Sequence, residues 1–146
     1  MSEFKNTAPE NLHVEYPPGD NYDDVKLSNV TIIFRSQLLS DLLDALNKIG
    51  VMGVTITQVT GYGTQKGFYE YYSKVNSEIP KPLWKTKIEI IVPTSQAKKV
   101  IDTSCKVLYT GKVGDGKIFV YNVESILKIR TGEIGYDAIE HSETNE

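Results

Sequence analysis

The segment TGKVGDGKI, Thr110 to Ile118, brings together three glycines and two lysines. Gly111, Gly116 and Lys117 match the G-x-x-x-x-G-K spacing of a phosphate loop, but Ile118 stands where such loops carry the Ser or Thr that holds magnesium. A P-loop must also open a helix whose N-terminus meets the phosphates, and the residues after Lys117, IFVYNV, are strand-like. A Walker fold is excluded on both counts. Two readings stay open: glycines that let backbone amides approach an anion beside Lys112 and Lys117, or a tight turn built on Asp115-Gly116.

Downstream, SILKIRT places Lys128 and Arg130 two residues apart, so in a strand they project from one face about 7 Å from each other. Such a pair can grip a polyphosphate or simply protect an edge strand with charge. A third glycine cluster, GYGTQKG from Gly61 to Gly67, opens a connection of about 25 residues, far longer than a hairpin loop. Its Phe68, Tyr69, Tyr71, Tyr72 and Trp84 suit either a surface that grips a protein partner or a hairpin packed across its own strands. Enzyme machinery is scarce. His13 and His141 fall in the terminal stretches, Asp41 and Asp44 read as solvated helix charges, and no Ser-His-Asp or metal cluster emerges.

These groups need a scaffold, and the apolar pattern supplies one. NVTIIFR, from Asn29, reads as a buried strand. SQLLSDLLDALNKIG then carries leucines at three- and four-residue spacing, with Ser36 to cap the helix and Gly50 to end it. Val54 to Val59 and Thr86 to Val92 read as strands, the latter stopped by Pro93. TSQAKKVIDTSCKVLY is a second amphipathic helix, capped by Thr94 or Ser95, and KIFVYNV and SILKIRT follow as a strand and a short strand or edge segment. Strand, helix, strand, strand, helix, strand is the ferredoxin-like α+β order, an antiparallel sheet covered on one face by two helices. The other face needs a partner, which oligomerisation usually provides.

A chain of 146 residues fits one such domain. Residues 1–27 hold three prolines and no apolar stripe and are expected to be a disordered tail, residues 28–134 the domain, and 135–146 a flexible acidic tail. Neither a secretory signal nor a membrane span is visible, so a cytoplasmic protein is expected. Cys105, the single cysteine, is expected to pack rather than to bind metal or form an internal disulfide. Net charge of −3 argues against a general nucleic-acid binder.

From Asn29 to Glu133 the chain resembles the PII family of nitrogen and energy regulators, through GYGTQKG, KTKIEIIVP, TGKVGDGKIFVYNV and KIRTGE. The resemblance implies a homotrimer that binds ATP or ADP in clefts between subunits. It implies that Gly114, Asp115, Gly116 and Lys117 cradle the phosphates, that Lys128 and Arg130 reach them from the adjoining subunit, and that Gly53, Val54 and Thr55 help hold the adenine. Ile33, Gly63, Glu89 and Ile91 would line the same cleft. Residues 62–84 correspond to the family's T-loop, at whose base Gln65 and Lys66 would help hold magnesium and 2-oxoglutarate, with Lys85 pairing the oxoglutarate carboxylate.

Two departures bear on specificity. Thr64 replaces an arginine that contacts the terminal phosphate, and Lys128 stands where Arg, with its planar fork, is commoner. Nearly equal affinities for ATP and ADP, or a preference for ADP, are therefore expected. After Glu70 the loop diverges: Asn76 or Ser77 falls near the tyrosine that many relatives uridylylate, so that control is not expected here. The function implied is a non-catalytic switch acting through loop residues such as Phe68, Tyr69, Tyr71 and Tyr72 on a transporter or metabolic enzyme. The alternative weighed against it is slow hydrolysis of ATP or an acyl phosphate on the same fold.

Overall fold

The computed structural model describes residues 25–62 and 83–139. Gly63, Thr64, Gln65, Lys66, Phe68, Tyr69, Tyr71 and Tyr72, and the terminal stretches 1–24 and 140–146, lie outside the described residues.

Strand β1, Leu27–Phe34, is buried along nearly its whole length, as its continuous β-branched and apolar run requires of a strand flanked on both sides. A 3-10 turn, Ser36–Leu38, leads into α1, Leu39–Lys48. The helix ends where Gly50 predicts: Gly50, at φ 90°, donates its N–H to the Asn47 carbonyl, and Val51 donates to Leu46, the paired bonds of a Schellman motif. The start differs from expectation. Ser36 caps nothing; its Oγ instead accepts a 2.9 Å hydrogen bond from the Thr86 hydroxyl, and Leu38 occupies the capping position without a side-chain bond.

β2, Thr55–Gly61, and β3, Leu83–Pro93, pair antiparallel, and α2, Thr94–Leu108, follows β3 directly. Neither Thr94 nor Ser95 caps α2. Thr94 is already helical, its N–H donating 2.8 Å to the Lys26 carbonyl and its hydroxyl bonding Ser28 at 2.8 Å, so the helix start is tied to the head of β1. β4 is Lys117–Val123. SILKIRT is not a strand: only Leu127 bridges, to Ile134, and the N–H groups of Thr131 and Gly132 both fold back on the Lys128 carbonyl. Gly132, at φ 75°, turns the chain there, so β propensity found no ladder to join and the same-face argument for Lys128 and Arg130 falls. β1 takes in Leu27, and a four-residue helix α3, Tyr136–Ile139, lies in the stretch read as a C-terminal tail.

All four strands are antiparallel in the order β2-β3-β1-β4, the ferredoxin-like arrangement. Val30, Ile32, Phe34, Ile88 and Ile90 face the helices and pack on Leu42, Leu46, Ala97, Val100 and Leu108. Each fully buried large side chain among these contributes roughly 1.5–3 kcal/mol relative to exposure. The register puts Asn29, Thr31 and Ile33 of β1 on the opposite face, in rows with Ile91, Glu89 and Lys87 of β3 and with Tyr121, Phe119 and Lys117 of β4. α1 and α2 leave that face open. Phe119 and Tyr121 stack there, centroids 6.4 Å apart, yet remain 38% and 53% exposed.

Candidate functional site

The loop from α2 to β4 is built around one carboxylate. Asp115 accepts from the Thr110 N–H at 2.8 Å, from the Thr110 hydroxyl, from the Gly111 N–H at 3.0 Å and from the Arg35 guanidinium at 2.5 Å. The Thr110 hydroxyl first, then the Thr110 N–H, Arg35 and the Gly111 N–H, hold its carboxyl well below the usual carboxylate range, against the opposing effect of burial. Asp115 is thus an anion at neutral pH whose acceptor capacity is used within the loop. Gly111, Gly114 and Gly116 all have positive φ, at 79°, 101° and 107°, a path that side chains disfavour.

Two cations from neighbouring strands close the loop from one side. Arg35 follows the Phe34–Thr86 pair, so the register sets it beside Lys85. Its guanidinium donates to Asp115, to the Val113 carbonyl at 2.6 Å and to Thr110 Oγ1 at 3.3 Å. Lys85 Nζ donates 2.8 Å to the Gly114 carbonyl. Burial pushes the Lys85 ammonium below its ordinary value, the Arg35 charge lowers it further, and Asp115 opposes both.

Gly116 has a second constraint besides its backbone path. A Cβ there would sit 1.9 Å from the Ile33 carbonyl oxygen, because the loop crosses the end of β1 at close range. Lys117 then enters β4 exposed, opposite Ile33 on the open face. Thr55 and Glu89 face each other in register on that same face, with Ile91 one row away, so Ile33, Thr55, Glu89, Ile91 and Lys117 share one surface next to the loop. Gly53 and Val54 lie in the connection that feeds β2. Lys128 and Arg130 make none of the loop's hydrogen bonds. Lys128 Nζ is 3.5 Å from Glu133 on its own turn, and exposed Arg130 has no ion-pair partner among the described residues. Cys105 is not packed in the core as expected: its thiol is exposed, at the rim of a cavity of about 320 Å³ lined by Ile101, Leu108 and Ile118. The described residues contain no group of His, Cys, Asp and Glu that could hold a metal, and no helix long and apolar enough to cross a membrane.

A glycine loop organised around a partly exposed, fully hydrogen-bonded carboxylate thus lies at one end of an uncovered ferredoxin-like sheet. The family model for nitrogen regulatory protein P-II matches residues 27–133. The chain belongs to the P-II family. Nitrogen regulatory protein GlnK of Escherichia coli K12 is 43% identical over 104 residues, 71% of this chain and 92% of that protein. Nitrogen regulatory protein P-II of Pasteurella multocida is 40% identical over 113 residues, covering 77% of this chain and all of that protein. Among solved structures, B. subtilis GlnK in complex with ATP superposes with a TM-score of 0.65 at 37% identity, over 80% of this chain and 100% of that one. Arabidopsis thaliana PII bound to citrate gives 0.63, also at 37%, over 79% and 94%.

Within this P-II chain, sequence reading missed two residues that shape the loop, Arg35 just beyond β1 and Thr110 in the loop itself. Arg35 entered only as the last residue of the strand segment NVTIIFR. Thr110 looked like a generic residue before a glycine, although a Thr five positions ahead of an Asp across a glycine turn is a weak signal for a side-chain bridge.

Proposed function

We propose that this protein is a nucleotide-responsive regulator: ATP and ADP bind where the Gly114–Lys117 loop meets the open sheet face, in clefts completed by neighbouring subunits of a homotrimer, and residues 62–84 carry the response to a protein target. The observation that carries this reading is the loop itself, held in shape by Asp115, Arg35 and Lys85 with its glycines on positive φ. The ATP complex of the similar B. subtilis GlnK supports adenine nucleotide as the ligand. Phe119 and Tyr121, stacked but half exposed beside Thr31 and Asn29, support burial of the open face against further copies of the chain. Lys128 and Arg130, which are absent from the loop's own hydrogen bonds, would then act on a neighbour's nucleotide.

Gly53, Val54 and Thr55 would help hold the adenine, Ile33, Gly63, Glu89 and Ile91 would line the same cleft, and Gly114, Asp115, Gly116 and Lys117 would cradle the phosphates. With Thr64 in place of an arginine and Lys128 in place of another, ATP and ADP should bind with nearly equal affinity or with ADP ahead. Gln65, Lys66 and Lys85 would serve magnesium and 2-oxoglutarate, and Phe68, Tyr69, Tyr71 and Tyr72 the target, a transporter or metabolic enzyme in nitrogen metabolism. A hydrolytic role is disfavoured by Asp115, the carboxylate nearest the phosphates in this reading. Its oxygens already accept four donors, which makes it a poor general base.

Calorimetric titration of ATP, ADP and AMP, each with and without magnesium and 2-oxoglutarate, tests the proposal. Comparable isotherms for ATP and ADP are expected; absence of heat with all three nucleotides overturns the reading, and ATP binding tens of times tighter than ADP overturns the specificity.

A further inference from the structure

Trans peptide planarity turns the cation contacts on the loop into a statement about its amides. In a trans peptide the C=O and the following N–H point in opposite directions. Arg35 holds the Val113 carbonyl and Lys85 holds the Gly114 carbonyl, from adjacent strands. The N–H groups of Gly114 and Asp115 are therefore each directed away from the cation that holds the preceding carbonyl, and neither has an acceptor among the described residues. Successive backbone N–H groups turned to one side form a concave site for an anion. Of the two cations, Arg35 has the larger hold: three acceptors, on Thr110, Val113 and Asp115, share its guanidinium.

We propose that Arg35 is a positioning residue for phosphate binding, acting on the Gly114 amide through the Val113 carbonyl and on Asp115 through its carboxylate, beside Lys85, which sets the Asp115 amide, and not by touching the nucleotide. The proposal rests on the nucleotide reading given above. Its consequence is that the anion site exists before ligand arrives, so that binding does not have to order the loop. A planar fork is needed because the three acceptors differ in direction, and a lysine ammonium on a flexible stem cannot serve them together.

The test uses the full-length protein and the variants Arg35→Gln and Arg35→Lys, each checked for unchanged assembly and thermal unfolding. Two readouts are taken: ¹⁵N relaxation order parameters at Gly114 and Asp115 without nucleotide, and ADP affinity by calorimetry. In Arg35→Gln the order parameters should fall from the rigid range near ~0.85 toward ~0.6, and ADP should bind roughly tenfold or more weakly, the scale of one charge-assisted hydrogen bond. Arg35→Lys should lie between the two proteins on both readouts. ADP affinity of Arg35→Gln within about twofold of the parent overturns the proposal. So does weakened ADP binding with unchanged amide order, which would mean that Arg35 contacts phosphate directly. If the parent protein itself binds no ADP, the nucleotide reading fails, and the relaxation data alone then decide whether Arg35 fixes these amides.

Discussion

Gly116→Ala should damage stability and nucleotide binding together, and the structure sets the scale. Two separate penalties arise. The residue sits at φ 107°, outside the region open to alanine, and holding a non-glycine residue in such a conformation costs on the order of 1–3 kcal/mol. The new methyl carbon would also lie 1.9 Å from the Ile33 carbonyl oxygen, with the Ile33 carbonyl carbon at 2.9 Å and the Phe34 Cα at 3.0 Å. All three are backbone atoms at the end of the central strand, so no rotamer change relieves the overlap, and forced displacement of packed structure adds about 1–3 kcal/mol. The sum, about 2–6 kcal/mol, is a large part of the 5–15 kcal/mol typical of a domain. Urea unfolding at one fixed protein concentration, since subunit association makes the midpoint concentration-dependent, should show a lower midpoint with an unchanged slope. ADP titration of the folded variant should show weakened binding. Gly53→Ala is the control: nothing lies within 4 Å of its added Cβ, and its stability should stay within about 0.5 kcal/mol of the parent. A Gly116→Ala midpoint indistinguishable from that of Gly53→Ala would refute the close-approach argument.

Other outcomes follow from the same contacts. Asp115 has a depressed folded-state pKa, so its charge adds stability that is fully present above its ordinary value of 3.8 and disappears as pH falls through the lower folded value. The stability gap between the parent protein and Asp115→Asn should be constant from pH 5 to 7 and narrow below about pH 4; a gap independent of pH down to 2 would contradict the hydrogen bonding described. Leu46→Ala, at a side chain buried against both the sheet and α2, should lower unfolding free energy by about 2–5 kcal/mol in denaturant titration. Phe119→Glu places a charge on the open sheet face; multi-angle light scattering should find a smaller assembly with native circular dichroism, and an unchanged mass would count against that face as the subunit contact.

Which features were legible in the sequence follows from how far away their partners lie. Helix and strand periodicity is local, and Gly50 needs only Leu46 and Asn47 to end α1, so these were readable. The helix starts were not, because Ser36 and Thr94 spend their hydroxyls on Thr86 and Ser28, residues brought close only by the sheet. SILKIRT has strand composition, but β4 takes the place beside β1, and a segment without a ladder partner folds on itself at Gly132. Arg35 was invisible for the same reason in stronger form: its three acceptors lie 75, 78 and 80 residues away.

Gly116 was found, but for part of its reason. Spacing marked it as a residue that lets a backbone approach an anion, whereas the structure shows that it first lets the backbone approach Ile33. That contact joins the loop to the end of the strand whose next residues, Phe34 and Arg35, supply a core side chain and the loop's clamp. Position 116 therefore couples fold and site through the backbone, while position 35 couples them only through a partly exposed side chain. Substitutions should separate accordingly: at Gly116 stability and ADP affinity fall in parallel, and at Arg35 affinity falls while the unfolding midpoint stays close to that of the parent. If the two positions instead gave the same ratio of lost affinity to lost stability, the loop would be no more than a passive part of the fold, and its preorganisation by Arg35 would have no independent existence.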